Sequence, residues 1–546
     1  MQTVTVPAVT GFRSVAFIFT IPILVYLVLM GFFEGQILRI TGHVLYPIDD
    51  PYIHLAIARH LAQHGYFGVS LAGYSATSSA PGWTLLLGGC IAVIGNQEWL
   101  PLLLNLLGGL VLLITLTIWL QRWIHNSPLI LLWMLIFMLI LPLPALTALG
   151  MEHVWHIVWI IWLVQRSLTL LQHEVQSGID IWILIAAFLA TAFRYESIFV
   201  VIPIAILFFV RRQTLQGLLL AGSSILLVVV IGWLNWQNQY YFLPNSILQK
   251  SSAMAFGIGR FQEFINRLFG QLFCTSHLVV PFMLSTVVFF HQMKEKTAFS
   301  TAQGITCFIL ICAAILHCMF ASIGWFYRYE AYLLTLALMA LATCAPVLHN
   351  LWHEVWRMRE HRRESLLNRF CLILILCLVP VIFWVNLQSM NKIVPGAWNL
   401  YQQQYQMGLF LQKYYPSETI VANDIGAINY LADVYCLDLM GLGSLEPLQA
   451  RALGRWNEHF IQNWANNRRA DIAIIYDSWW NDLIPRQWIL IGQWLTDQKV
   501  TVADTTVSFY AITPDQADKL WQCLNEYRSQ LPDGVETILA ERQEQE

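Results

Sequence analysis

Twelve apolar runs fill most of the first 390 residues, at about 13–33, 82–96, 99–120, 128–147, 152–170, 180–194, 197–211, 215–235, 276–292, 300–322, 329–349 and 368–387. About 20 consecutive apolar residues is the length that crosses a bilayer as a helix, and a chain with this many such runs could not hide them from water in one soluble core. The composition agrees, with 57% hydrophobic residues, 12% charged residues and a mean hydropathy of +0.57. The expected class is therefore a mainly α-helical polytopic membrane protein. A net charge of −3 with no basic domain excludes a nucleic-acid partner. The run from Val15 to Phe33 has only Arg13 close before it and no small-residue cleavage site, so it reads as a retained anchor.

From about residue 395 the chain turns polar. Strand-like runs such as Thr419 to Ala422 and Ile472 to Tyr476 alternate with helix-like segments, which predicts a soluble α/β domain. Two domains follow, a membrane domain over 1–390 and a soluble domain over 391–546. Arg211-Arg212, Lys294 to Lys296 and the cluster Arg357, Arg359, Arg362 and Arg363 mark cytoplasmic turns by the positive-inside rule, which puts the C-terminal domain outside. Twelve full spans would leave residues 34–81 on the wrong side of the other polar motifs. About eleven spans bring all of them to one face, so one run between residues 82 and 147, where the runs are short or carry Pro142 and Pro144, is expected not to cross. Most of the ten cysteines lie in apolar runs and read as packing residues; Cys436 and Cys523, in the tail, are placed to pair if the tail is extracytoplasmic.

The first outer loop, 34–81, is long, and it holds Asp49-Asp50 with no lysine or arginine between residues 44 and 55 to explain the doublet. Asp50-Pro51 has helix-start chemistry and Gly65 suits the stop, so a helix is expected over 51–64, lying in the membrane interface with Arg59, His60 and Gln63 on its wet side. The small, polar stretch from Gly73 to Trp83 either folds over a ligand or merely connects.

These residues carry a resemblance. Asp49-Asp50 with an aromatic next, a helix containing Ala58-Arg59, Gly65, and the Ser/Thr-rich stretch ending Ser79-Ala80-Pro81-Gly82-Trp83 is similar to polyprenyl-phosphate-dependent glycosyltransferases of the GT-C fold. The likeness extends to the bacterial group that includes mycobacterial terminal arabinofuranosyltransferases. Further motifs follow in order: Gly150-Met151-Glu152, Arg194-Tyr195-Glu196 where the family often has Arg-Pro-Glu, and Leu243-Pro244-Asn245-Ser246 with Lys250. The tail adds 421–427 and 438–442. The resemblance implies a GT-C-like bundle of about eleven spans with a C-terminal extracytoplasmic α/β domain. It also implies transfer, on the outer face of a bacterial cytoplasmic membrane, of a sugar from a polyprenyl-phosphate donor to a hydroxyl on a glycan, lipid or protein acceptor, in cell-envelope assembly.

Such a transfer needs a base at the acceptor hydroxyl and cations at the departing phosphate. Asp49 and Asp50 are the candidate catalytic pair, with Asp49 preferred as base because Asp50 has the alternative of capping the helix. A divalent cation at the two acids is the open cofactor question. Arg194, Lys250, Arg328 and Arg59 are the candidate donor-phosphate ligands. Arg194 has the alternative of a structural pair with Glu196 or Glu152, Arg328 that of a snorkelling residue in an aromatic belt, and Arg59 that of the wet face of its helix. Glu152, His153, Glu196, Asn245 and Ser79 are the candidate acceptor or substrate contacts. Two rivals stand beside this reading: a transporter or flippase of a lipid-linked sugar, since broken helices and buried charges also mark transport sites, and a non-catalytic envelope scaffold.

Overall fold

The computed structural model describes residues 12–172, 178–251, 276–321, 324, 326–357, 384 and 386–541. The membrane part is built from α1 (Phe12–Thr41), α2 (Asp50–His64), α3 (Pro81–Ile94), α4 (Leu100–Gln121), α5 (Ser127–Ile140), α6 (Leu143–Ala148) and α7 (His153–Gln172). It continues with α8 (Ile181–Phe193), α9 (Ile198–Val210), α10 (Thr214–Gln237), α11 (Asn245–Ser251), α12 (Ser276–Lys294), α13 (Ala302–Phe320) and α14 (Ala331–Arg357). Five of these, α1 over 16–41, α4, α7, α10 and α13, are long and apolar enough to cross a membrane. The run at 368–387 lies almost wholly outside the described residues.

Hydrogen bonds sort the helix ends into two layers. At one end, Arg211 donates to the Phe299 carbonyl at 2.8 Å, the Asp180 amide donates to Gln216, and Arg166 pairs with Asp180. The turns at 211–213 and 295–301 therefore share an end. At the other end gather the loop 42–80, residues 150–152, 194–197 and 326–330, and the C-terminal domain. Among the described helices, ten (α1, α4, α5, α7 to α10 and α12 to α14) run between the layers.

The odd run is α3. Its start packs where a Cβ on Gly82 would lie 2.8 Å from Ala192, two residues before Arg194. Just past its end, the Glu98 carbonyl accepts from Tyr46 Oη at 2.6 Å and the Glu98 carboxylate from Tyr405 Oη at 3.1 Å. Both ends thus sit in the same layer. A helix of 14 residues, about 21 Å long, turns back there against α2 instead of crossing. This is the run between residues 82 and 147 that had to be subtracted. The run 128–147 also breaks, into α5 and α6, because Leu141 before Pro142 is extended, the conformation that a following proline favours.

The C-terminal domain begins with α15 (Ile393–Leu400) and α16 (Gln406–Tyr414), followed by β1 (Thr419–Ala422), α17 (Ala427–Leu431), β2 (Tyr435–Asp438), α18 (Glu446–Ala452) and α19 (Glu458–Asn467). It closes with β3 (Ile472–Ile475), α20 (Asp477–Trp480), β4 (Ile489–Thr496), β5 (Thr506–Ala511), α21 (Pro514–Tyr527) and β6 (Val535–Leu539). The sheet order is β2-β1-β3-β5-β4-β6, parallel over the first three strands and antiparallel over the rest. Helices on a mixed sheet match the expected α/β class. Cys436 and Cys523 are both free thiols, so the tail pairing considered from sequence is not formed. The loops after β1 and β2, at the carboxyl edge of the parallel strands where α/β sheets present functional loops, meet the first loop of the membrane part.

Candidate active site

α2 begins at Asp50 and stops at Gly65, whose φ of 75° and amide bond to the Leu61 carbonyl end the helix as expected. The two acids at its start reach away from the helix. Asp49, the residue before the helix, makes no side-chain cap. Asp50 turns toward Arg328, whose Nη1 and Nη2 reach its two carboxylate oxygens at 3.0 and 3.4 Å. Asp49 turns toward the tail and accepts from the amides of Gly426 at 2.7 Å and Ala427 at 2.8 Å.

Arg328 is aimed by its backbone. Phe326 and Tyr327 before it have φ of 60° and 57°, left-handed values that bulky residues rarely adopt and that concentrate at functional positions. Its guanidinium donates to Tyr329 Oη at 2.9 Å and lies over that ring, 4.8 Å from the centroid. The snorkelling alternative therefore does not describe Arg328, which is buried and paired with an acid.

Arg194 sits in the break between α8 and α9, extended and followed by a single 3-10 turn over Tyr195–Ser197. It donates to Glu152 Oε1 at 2.8 Å and forms a second ion pair with Glu196. The structural pairing named as its alternative is thus present. Glu152 is fully buried, and His54 and His153 approach it at 3.8 Å. Glu152 Oε2 and His153 Nε2 make no hydrogen bond. A short chain of neutral groups, His54, Thr84 and Ser78, runs on from there through contacts of 2.9 Å. His54 is the residue the sequence reading passed over; its place one turn after Asp50 on α2 was the available signal.

The other candidates lie apart. Arg59 is buried and bonds the Asn429 carbonyl at 3.1 Å and Asp433 at 2.8 Å, so it ties α2 to the tail and does not join the Arg328 cluster. His60 is buried as well; of the three polar residues assigned to the wet face, only Gln63 is exposed. Asn245 is fully buried, its amide donating to Ala76 O and its side chain to Leu442 O. Ser79 is half-buried in the loop before α3. The backbone of Lys250 belongs to α11, and its side chain lies outside the described residues. The stretch 73–83 is docked, with Thr77 Oγ1 donating to Leu442 O at 3.0 Å.

A domain of unknown function (DUF8728) matches residues 397–510. No curated protein matches the chain in sequence. Among solved structures, ArnT from Cupriavidus metallidurans bound to undecaprenyl phosphate is similar with a TM-score of 0.51 at 13% identity, over 93% of this chain and 99% of that one. The oligosaccharyltransferase of Archaeoglobus fulgidus in its apo form is similar with a TM-score of 0.50 at 11% identity, over 92% of this chain and 75% of that one. The fold is GT-C. The narrower likeness to arabinofuranosyltransferases rests on the sequence motifs alone.

In this GT-C chain the acid pair does not fit a divalent cation. Asp49 commits both oxygens to amides and Asp50 both to Arg328, and no group of three or more His, Cys, Asp or Glu ligands is set to hold an ion among the described residues. A cavity of about 490 Å³ lies between α2, the end of α1, the turn before α4 and the tail, lined by His43, Arg59, Glu98, Trp99 and Tyr430 among others. Its lining includes neither Asp50 nor Arg328.

Proposed function

We propose that the protein is an integral membrane glycosyltransferase that moves a sugar from a polyprenyl-phosphate donor to an acceptor hydroxyl. The transfer takes place on the outer face of a bacterial cytoplasmic membrane, in the assembly of a cell-envelope glycan or glycolipid. The observation that carries this reading is the Asp50–Arg328 pair: an acid on the first loop facing a cation at the mouth of a later span, in a fold shared with an ArnT that binds undecaprenyl phosphate and with an oligosaccharyltransferase.

Asp50 is the general base in this reading. Its side chain is 42% exposed, whereas both oxygens of Asp49 are already held by amides, which favours Asp50 over the sequence-based choice of Asp49. Arg328 holds the donor phosphate and, as that phosphate takes up its charge, frees Asp50 to accept the proton of the acceptor hydroxyl. Arg194, already balanced by Glu152 and Glu196, keeps the break between α8 and α9 in shape; Lys250 is the second phosphate cation. The bond between the anomeric carbon and the phosphate oxygen breaks, the acceptor oxygen takes its place, and the polyprenyl phosphate leaves with the electron pair.

The test is direct transfer by purified protein in lipid, with a panel of radiolabelled polyprenyl-phosphate sugars and an envelope extract as acceptor, for wild type and Asp50→Asn. Incorporation that Asp50→Asn abolishes while undecaprenyl phosphate still binds is the expected result. Donor movement across the bilayer without incorporation, equal in both proteins, would turn the reading to a transporter.

A further inference from the structure

We infer that the C-terminal domain is a working part of the active site: the loop after β1, through Gly426 and Ala427, holds Asp49 and thereby sets the position of Asp50. This rests on the transferase reading above.

Asp49 and Asp50 are joined by one peptide bond, and Asp49 O closes the first turn of α2 by accepting from the Tyr52 amide at 3.0 Å. Gripping the Asp49 carboxylate therefore fixes where the next Cα lies and the direction in which α2 starts. The grip has two N–H donors, Gly426 and Ala427, one to each oxygen, at 2.7 and 2.8 Å. Two amides converging on the two oxygens of one carboxyl fix both its place and its orientation.

Gly426 shows that the approach is built for this contact. Its φ of −81° is not left-handed, so handedness is not the reason for a glycine there. A Cβ at that position would lie 2.3 Å from Asp49 O and 2.5 Å from Asp49 Oδ2. Only hydrogen fits between the loop and the acid.

The same domain holds the first loop at three more places. Arg59 bonds Asn429 O and Asp433, the Leu71 amide donates to Val434 O at 3.1 Å, and Thr77 donates to Leu442 O. Gly426, Ala427 and these contact residues all fall inside the matched domain of unknown function, residues 397–510, which gains a role as the holder of the catalytic loop. Asp424, two residues before Gly426, is kept in place by Tyr476 Oη at 2.8 Å and Gln404 Nε2 at 3.0 Å. Enclosure by protein and the like charge of Asp424, with a smaller part from Asp50, push the Asp49 carboxyl up to about 8 against the pull of the two amides.

The experiment is a double-mutant cycle on full-length protein in lipid, with Gly426→Ala, Asp49→Ala and the double variant. It reads kcat and donor KM for whichever polyprenyl-phosphate sugar the wild type uses, together with amide exchange over residues 424–431. Each single change should lower kcat about tenfold or more, with donor KM within about twofold, because the base is displaced while the phosphate cation is untouched. The double variant should lose less than the product of the two single losses, since both changes displace the same residue and the methyl meets the residue-49 backbone carbonyl whether or not the carboxyl is present. In Asp49→Ala alone, the Gly426 and Ala427 amides should exchange about tenfold faster, for the loss of their hydrogen-bond acceptor.

Unchanged exchange in Asp49→Ala would overturn the clasp, and this readout needs neither activity nor a folded Gly426→Ala. Normal kcat in Gly426→Ala, or losses that simply add in the double variant, would overturn the positioning role. A wild type that transfers from no donor, yet shows the exchange response, would overturn the transferase reading and leave the clasp standing.

Discussion

The membrane part and the tail hold the same acid doublet by different means. On the membrane side, charge meets charge: Arg328 faces Asp50, and Arg194 lies between Glu152 and Glu196. On the tail side, Asp49 meets backbone amides, those of Gly426 and Ala427, and the ion pair of Arg59 with the exposed Asp433 lies away from the doublet and is shared with the Asn429 carbonyl. An ion pair is a group that an incoming phosphate can exchange for itself, because the cation keeps its charge when the acid lets go. Backbone amides offer no such exchange without moving the loop. In the proposed reading, the difference gives the membrane side the chemistry and the tail side the placement.

The sharpest way to break that division is Asp50→Asn. Loss of the base should lower transfer by about 10²- to 10⁴-fold with undecaprenyl phosphate binding retained, measured by single-turnover kinetics beside a binding titration. Loss of binding in step with transfer would move Asp50 to the donor site.

Arg194→Ala comes next and should fail differently. It strands Glu152, fully buried and without its cation, a defect that typically costs about 3–5 kcal/mol. The measurable result is a fall in thermal stability and in the yield of folded protein. A well-folded Arg194→Ala that lost only transfer would place Arg194 at the phosphate instead.

The tail side makes a prediction about pH. The Asp49 carboxyl is raised from 3.8 to about 8 by enclosure and by Asp424, so the folded protein prefers it protonated. Its contribution to stability is complete below pH 3.8 and is lost as pH rises through about 8. Thermal unfolding should therefore show a decline across that window, and Asp424→Asn, by removing the like charge, should flatten it. Parallel profiles for the two proteins would mean that Asp424 does not act on Asp49.

Asp433→Ala should have the smallest effect. Its side chain is 58% exposed, and Arg59 keeps the Asn429 carbonyl, so the loss should be about 1 kcal/mol or less in unfolding and none in kcat. A clear drop in kcat would show that the tail's hold on α2 acts along its whole length.

Much of this was legible in the chain. The run lengths placed most described helices to within a few residues; α1 and α14 each extend eight residues beyond their apolar runs, and the run 128–147 breaks at Pro142. The positive-inside argument showed that one run too many lay between residues 82 and 147. It did not show that the surplus run was α3, because 14 apolar residues look alike whether they cross or turn back; Gly82 against Ala192 and Glu98 against Tyr405 decide it. Asp49-Asp50 stood out because no cation lies near it in sequence, and the cation it meets, Arg328, is 278 residues away.

By itself the sequence determined the class, the two-part organisation and the short set of polar residues worth a role, because hydrophobic length and local turn chemistry are properties of neighbouring residues. Only the tertiary structure decided how that set divides. Whether Arg59 faces water or Asp433, whether Arg194 is free or shared by two glutamates, and which of two adjacent acids meets a cation all depend on groups brought together across the chain. A side chain's partner is set by the packing of whole elements, and no local pattern encodes it.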